Sequence, residues 1–289
     1  MRLLLIPILF VTATTSQAQP KVTYYAPELF PKEASGAVCG FSKDGSTIYF
    51  VREDTLKDKL FIYSAERAKN KWAKEQLLSF SGEHNDMGGR LSPDGNSFYF
   101  TSDRPGGSAK EEDVWNIWVS HRVGETWSKA EPLREINDKG SECCPVPMEN
   151  GHLIFSSDRG KDLQWAIFDW DGTQDELVSN LSETTAWQWP SVFVPGEDIL
   201  LFNSMKRPDT KGKDDIYISF LKNGEWTTPQ NIGALVNTEV YEDGAILSPD
   251  KKLLIFNQHT TGATPSQVMC VEWKPILKKL KSAANSSQP

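Results

Sequence analysis

The sequence predicts an all-β fold, a single five-bladed β-propeller of four-stranded antiparallel blades in which an N-terminal strand closes the last blade. Three observations predict it. A hairpin pattern recurs five times: FSKDGSTIYF at 41–50, LSPDGNSFYF at 91–100, MENGHLIF at 148–155, FVPGEDILLF at 193–202 and LSPDKKLLIF at 247–256. Each copy runs into a polar loop and a second strand with apolar alternation, KLFIYSAE, NIWVSHR, QWAIFDW, DIYISF and QVMCVEW. The last copy stops at Trp273 without a fourth strand, and the missing piece lies at the other end, where VTYYAPELF (Val22–Phe30) resembles the fourth-strand segment WSKAEPLREI. Four short strands per unit, with units about 50 residues apart, is the pattern of propeller blades. Helical runs between the strands, which a parallel α/β sheet requires, are not visible.

In chain order, Arg2, the apolar run Leu3–Val11 and the small-residue site Ser16-Gln17-Ala18 read as a secretory signal peptide over residues 1–18. The run is too short to span a bilayer, and no cysteine follows it as a lipobox would require. The expectation is an exported protein, periplasmic or secreted, with no membrane span. The blades fall at about 37–80, 86–135, 142–181, 188–235 and 242–273, the last completed by 21–29. Within a hairpin, Pro93-Asp94-Gly95 supplies the turn: a fixed φ, an Asx-type bond and a glycine that tolerates positive φ. Tryptophan leads the fourth strand in NKWAKEQLL, ETWSKAEPL and GEWTTPQNI, whereas DELVSNL takes that place in the third copy without it. Residues 274–289 are rich in Lys, Ser and Asn and read as a flexible tail.

The net charge is −8. Such a chain is a poor general binder of nucleic acid, so the expected partners are a glycan, a small molecule or an envelope protein, met by a monomer. Cys39, Cys143, Cys144 and Cys270 leave two readings open, buried small residues or a Cys39–Cys270 bridge tying the chain ends.

The motif SPDGxxxYFxSDRPGG at 92–107, with the Ile-Trp-Val strand and Trp-led strand after it, resembles the WD40-like Pro-Asp repeat of TolB-type propellers. The hairpin is sharp at 91–107 and 247–256, blurred at 148–159 and weak at 193–204. The resemblance implies an exported bacterial propeller and is specific for fold rather than function.

Aligning the copies on their hairpins puts Gly36, Asp86, Glu142, Gln188 and Glu242 in one column, at the entry to the innermost strand. Ring closure turns a column into a ring, so Asp86, Glu142 and Glu242 are expected to meet at one mouth of the channel, with Gln188 and Asp243. Carboxylates that close together hold a hard cation, calcium before magnesium, or instead brace neighbouring blades by accepting hydrogen bonds. Arg104 and Arg159, in the polar loops of the same face, either pair with nearby carboxylates such as Asp113, Asp162 or Asp214 or rim the mouth with cations suited to acidic sugars. Trp187 either packs in the core or faces a ligand. The lead expectation is a non-catalytic binder using this acidic mouth. The alternative is a carbohydrate-active enzyme, lyase or glycosidase, with Asp86 and Glu142, or Glu142 and Glu242, as its acid and base. No G-x-S-x-G or H-E-x-x-H motif offers another chemistry.

Overall fold

Period-2 alternation and turn chemistry give each repeat a meander of antiparallel strands, and the computed structural model arranges five of them in a ring. It describes residues 20–69, 71–108, 115–137, 140–159, 164–260 and 266–286. Residues 1–18, the expected signal peptide, lie outside the described residues. Blade 1 consists of Gly36–Phe41, Thr47–Asp54 and Lys59–Ala68, with Lys71–Trp72 and Gln76–Leu77 both pairing with the third strand. Blade 2 repeats this with Asp86–Leu91, Ser97–Ser102, Asn116–Val123 and the pieces Thr126–Trp127 and Glu131–Pro132. Blade 3 runs Glu142–Pro147, Leu153–Ser157, Ala166–Trp170 and Asp175–Leu177. Blade 4 has Trp187–Val194, Ile199–Met205, Asp215–Lys222 and the pieces Glu225–Trp226 and Gln230–Asn231.

Blade 5 (Tyr241–Leu247, Leu253–His259 and Gln267–Glu272) takes its fourth strand from the N-terminal end of the domain. Thr23 pairs with Cys270 and Tyr24 with Met269, and the Tyr25 N–H donates to the Val268 carbonyl at 2.9 Å. Closure removes the exposed sheet edges an open ring would carry.

The hairpin turns follow the Asp-Gly chemistry. In blade 2 the Ser92 hydroxyl and the Asn96 N–H both donate to Asp94 Oδ1, and Gly95 takes φ +77°. Between blades, aromatic wedges fill the gaps: Trp127 packs edge-on to Tyr49, Phe80 and Phe98, and Trp226 to Phe193. All four cysteines are free, so the Cys39–Cys270 bridge is not formed.

The C-terminal segment corrects the expectation of a flexible tail. Trp273–Ser286 is a helix. Trp273, Ile276 and Leu280 share one of its faces, are 1%, 6% and 7% exposed, and join the core of blades 4 and 5. Spacing of i, i+3 and i+7 is an amphipathic stripe, and Pro275 sits in the first turn, where its missing N–H costs nothing. Lysine richness masked the stripe: Lys274, Lys278, Lys279 and Lys281 occupy the remaining faces.

Candidate functional site

The entry column forms as aligned: Gly36, Asp86, Glu142 and Glu242 lie at or next to the start of their inner strands, as does Gln188. The four polar side chains are fully buried. They do not face one another. Asp86 is held by the Arg104 guanidinium at 2.5 Å and the Ser81 hydroxyl at 2.6 Å. Glu142 is held by Arg159 at 2.8 Å and Ser157 at 3.0 Å. Glu242 accepts from Thr238 and from Gln258 Nε2, and Gln188 Nε2 donates to the Glu183 carbonyl. The expected calcium site of Asp86, Glu142 and Glu242 is therefore corrected: each acid is engaged by its own local partners, Glu142 through Oε1 with Oε2 buried and unpartnered, and among the described residues no three His, Cys, Asp or Glu side chains are placed to hold a metal ion. What the column does is brace. The main-chain N–H groups of Glu142, Gln188 and Glu242 donate to the carbonyls of Trp115, Trp165 and Asp214 in the preceding blade, at 2.8, 2.9 and 2.9 Å.

Arg104 and Arg159 belong to the same bracing and do not rim the mouth with free cations. Arg52, Arg104, Arg159 and Arg207 recur in four successive blades, each stacked on the phenylalanine of its own second strand, Phe50, Phe100, Phe155 and Phe202. Each also donates to a carbonyl of the preceding connection: Leu29, Phe80, Ile136 and Leu181. Arg104 pairs with Asp86, and Arg159 with Glu142 and Asp175; neither pairs with Asp214. Asp113 and Asp162 lie outside the described residues. Burial pushes the Glu142 carboxyl up to about 7 in spite of Arg159. A carboxyl raised in the folded state keeps its proton where the unfolded chain has lost it, so its contribution to stability declines as pH rises from about 4.5 to about 7. Arg159→Met leaves that acid without its cation and is expected to cost about 3 kcal/mol. It should also raise the Glu142 pKa further, so melting curves of the two proteins should lie further apart at pH 8 than at pH 5. An equal gap at both pH values would show that Glu142 does not feel Arg159.

The residues that do face the channel sit one position further along. Ala37, Met87, Cys143, Trp189 and Asp243, the immediate successors of the entry column, all line a cavity of about 480 Å³ at the strand-entry end of the axis. Consecutive strand residues point to opposite sides, which is why the column read from sequence faces away. Of the residues expected to touch a ligand, Asp243 alone lines this cavity. Trp187 instead donates from Nε1 to Gln164 Oε1 at 2.9 Å and packs edge-on to Trp189, which takes the cavity position.

After these residues the inner strands bulge. In blades 2, 3 and 5 the bulge carries a left-handed residue: Gly88 at φ +60°, Cys144 at +57° and Gly244 at +61°. Glycine takes that conformation freely, and a side chain there costs about 1–2 kcal/mol. Cys144→Gly is accordingly expected to leave thermal stability unchanged or raise it by up to about 1 kcal/mol. Gly244→Ala should lower it, because a Cβ there would lie 2.5 Å from Asn257 Nδ2. Matched denaturant titrations check both; a destabilised Cys144→Gly would mean that its thiol contacts outweigh the backbone strain.

Asp214 completes the site, and its role was not read from the sequence. It stands just before the third strand of blade 4, in the place that Trp115 and Trp165 hold in blades 2 and 3, and all three line the cavity. Asp214 is 5% exposed. Its Oδ2 accepts from Asn203 Nδ2 at 2.7 Å, and Asn203 Oδ1 accepts from the Ser191 hydroxyl. Its Oδ1 is buried with no hydrogen-bond partner among the described residues. Burial first, and then the charge on Asp243, hold the Asp214 carboxyl well above the usual carboxylate range. Asp243 is held differently: Oδ1 accepts from Asn257 Nδ2 at 2.8 Å, and Oδ2 meets His259 Nε2 at 3.2 Å. That bond raises the His259 pKa, and the imidazole stacks on Tyr241 at 4.7 Å, 7° from parallel. Burial and the neighbouring Asp243 thus favour the protonated form of Asp214, while Asp243 in the same cavity is engaged by Asn257 and His259.

The Asp214 signal was present in the sequence, as the residue leading into DIYISF, but it reads there as an ion-pair partner for arginine. No family model matches the chain, and the search of curated proteins finds no relative. Among solved structures, the endo-arabinase of Bacteroides thetaiotaomicron is similar at 12% identity with a TM-score of 0.53, over 87% of this chain and 97% of that one. A thermostable family-43 glycoside hydrolase matches at 12% identity and 0.51, over 83% and 88%. Hydrazine synthase of Kuenenia stuttgartiensis matches at 10% identity and 0.51, over 80% of this chain and 36% of that one. Proteins so differently named share the propeller, so these likenesses speak for the fold alone.

Proposed function

We propose that the protein is an exported carbohydrate-active propeller of the TolB-like repeat type that cleaves a glycosidic bond in the upper channel, with Asp214 as proton donor and Asp243 as base. The observation that carries this reading is the unpartnered, buried Oδ1 of Asp214 beside Asp243. A neutral carboxyl with an unused oxygen can give its proton to a glycosidic oxygen as the C–O bond breaks. A carboxylate steadied by Asn257 and His259 can take the proton of the attacking water. Trp115, Trp165 and Trp189 give the cavity the flat apolar walls on which sugar rings stack, and its volume lies within the range of small-ligand sites. That an endo-arabinase and a family-43 glycoside hydrolase use a similar scaffold accords with the reading.

The test is a screen of neutral and acidic polysaccharides for release of reducing ends, with Asp214→Asn as control. Turnover absent from that variant, with its fold intact, supports the assignment. Saturable glycan binding with no turnover in the wild type would return the channel to a purely binding role, and neither binding nor turnover would remove carbohydrate from the reading.

A further inference from the structure

One cation in the channel wall has no counter-charge among the described residues. Arg90 comes from the inner strand of blade 2 and reaches across the axis, where its Nε donates to the Ser191 carbonyl of blade 4 at 2.6 Å. Its Nη1 donates to the carbonyl of Gly89. These two bonds fix the guanidinium and leave Nη2 without a described partner. The other repeat arginines, Arg52, Arg104, Arg159 and Arg207, are each paired with a carboxylate. Arg90 makes no ion pair among the described residues, and the titratable groups acting on it are the thiols of Cys39 and Cys144.

The position is as informative as the pairing. Arg90 lines the 480 Å³ cavity from below and also lines a second cavity of about 250 Å³ on the hairpin side; the two share only Arg90 and Cys39. The guanidinium is therefore the floor of the upper cavity. The cavity it lines mixes apolar side chains, among them Ala37, Val51, Met87 and Pro190, with the polar Asn203, Asn257, Asp214 and Asp243. Burial in those surroundings lowers the Arg90 pKa. A fixed cation lining the pocket, with no carboxylate paired to it among the described residues, favours a planar oxyanion that can meet its remaining N–H groups.

We propose that the channel floor binds a carboxylate, and that the ligand is an acidic sugar whose carboxyl group meets Arg90 while its ring lies among the tryptophans. This deepens the carbohydrate reading and rests on it for the ring. The anion site itself depends only on Arg90.

Isothermal titration of the intact protein with galacturonate, galactose and inorganic phosphate tests both parts. Galacturonate is expected to bind at least about tenfold more tightly than galactose. Arg90→Gln should abolish that preference, and Arg90→Lys should retain part of it. Cooperative melting of both variants establishes that they fold, and the preference of the wild type alone is decisive should Arg90→Gln fail to do so. Equal binding of galactose and galacturonate would overturn the carboxylate site and leave the carbohydrate reading standing. Phosphate binding that Arg90→Gln removes, without sugar binding, would confirm an anion floor and overturn its acidic-sugar occupant. No binding of any of the three would overturn the proposal.

Discussion

Asp214→Asn is expected to lower glycan turnover by about a hundred- to ten-thousandfold, the span of a general acid, while the protein melts higher than wild type above neutral pH. The two effects share one cause. Asp214 is buried beside Asp243 with one oxygen unpartnered, and both burial and the neighbouring charge favour its protonated form. Because its folded pKa is raised, the native state binds a proton that the unfolded chain has released, and stability is lost as pH rises from the ordinary carboxylate range toward the folded pKa. Asparagine keeps the shape, presents Oδ1 to the Asn203 amide in place of the carboxylate Oδ2, and never ionises. The slope should therefore be absent from the variant. Thermal melts from pH 5 to 9, run beside the turnover assay, check this. A variant that loses activity and also melts lower at pH 8 would assign Asp214 a structural role.

Deleting Val22–Phe30 is expected to lower the melting temperature by roughly 10–20 °C, or to abolish cooperative melting. The segment does more than pair at the edge of blade 5. Leu29 and Phe30 are each 5% exposed, and Phe30 packs edge-on to Phe50 at 5.3 Å. The Leu29 carbonyl also accepts from Arg52, and in blades 2–4 the equivalent bond is made by the connection from the preceding blade. Two large side chains at about 1.5–3 kcal/mol each, with the lost strand pairing, come to about 5 kcal/mol. That is a large share of the stability of any domain, and a chain of this size shifts by about 2–4 °C per kcal/mol. Differential scanning calorimetry decides; an unchanged midpoint would mean that the ring holds without its closing strand.

The fold was legible because strand alternation and Asp-Gly turns are local signals that repeat. The closing strand was legible because the fifth copy was one strand short. The helix at Trp273 was not, since three apolar residues among lysines look like a solvated tail until blades 4 and 5 supply the surface that buries them. The site shows a sharper limit. Alignment found the entry column of Asp86, Glu142, Gln188 and Glu242, but a strand reverses its face at every residue, so the column that met the axis was the next one. A symmetric reading also favours what recurs. Arg104 and Arg159 drew attention because they repeat, and repetition turned out to mark bracing. Asp214 and Arg90 break the symmetry, one standing where two other blades have tryptophan and the other reaching over the axis, and such departures are visible only once the blades are in place.

The crossing of Arg90 to Ser191 has a consequence for traffic. It sets a side chain across the axis between the two cavities, an obstacle to threading a polysaccharide from one side of the disc to the other. On the function proposed above, a glycan that touches the floor would arrive as a chain terminus or a short branch, and a fragment released below the cut would back out past the tryptophans.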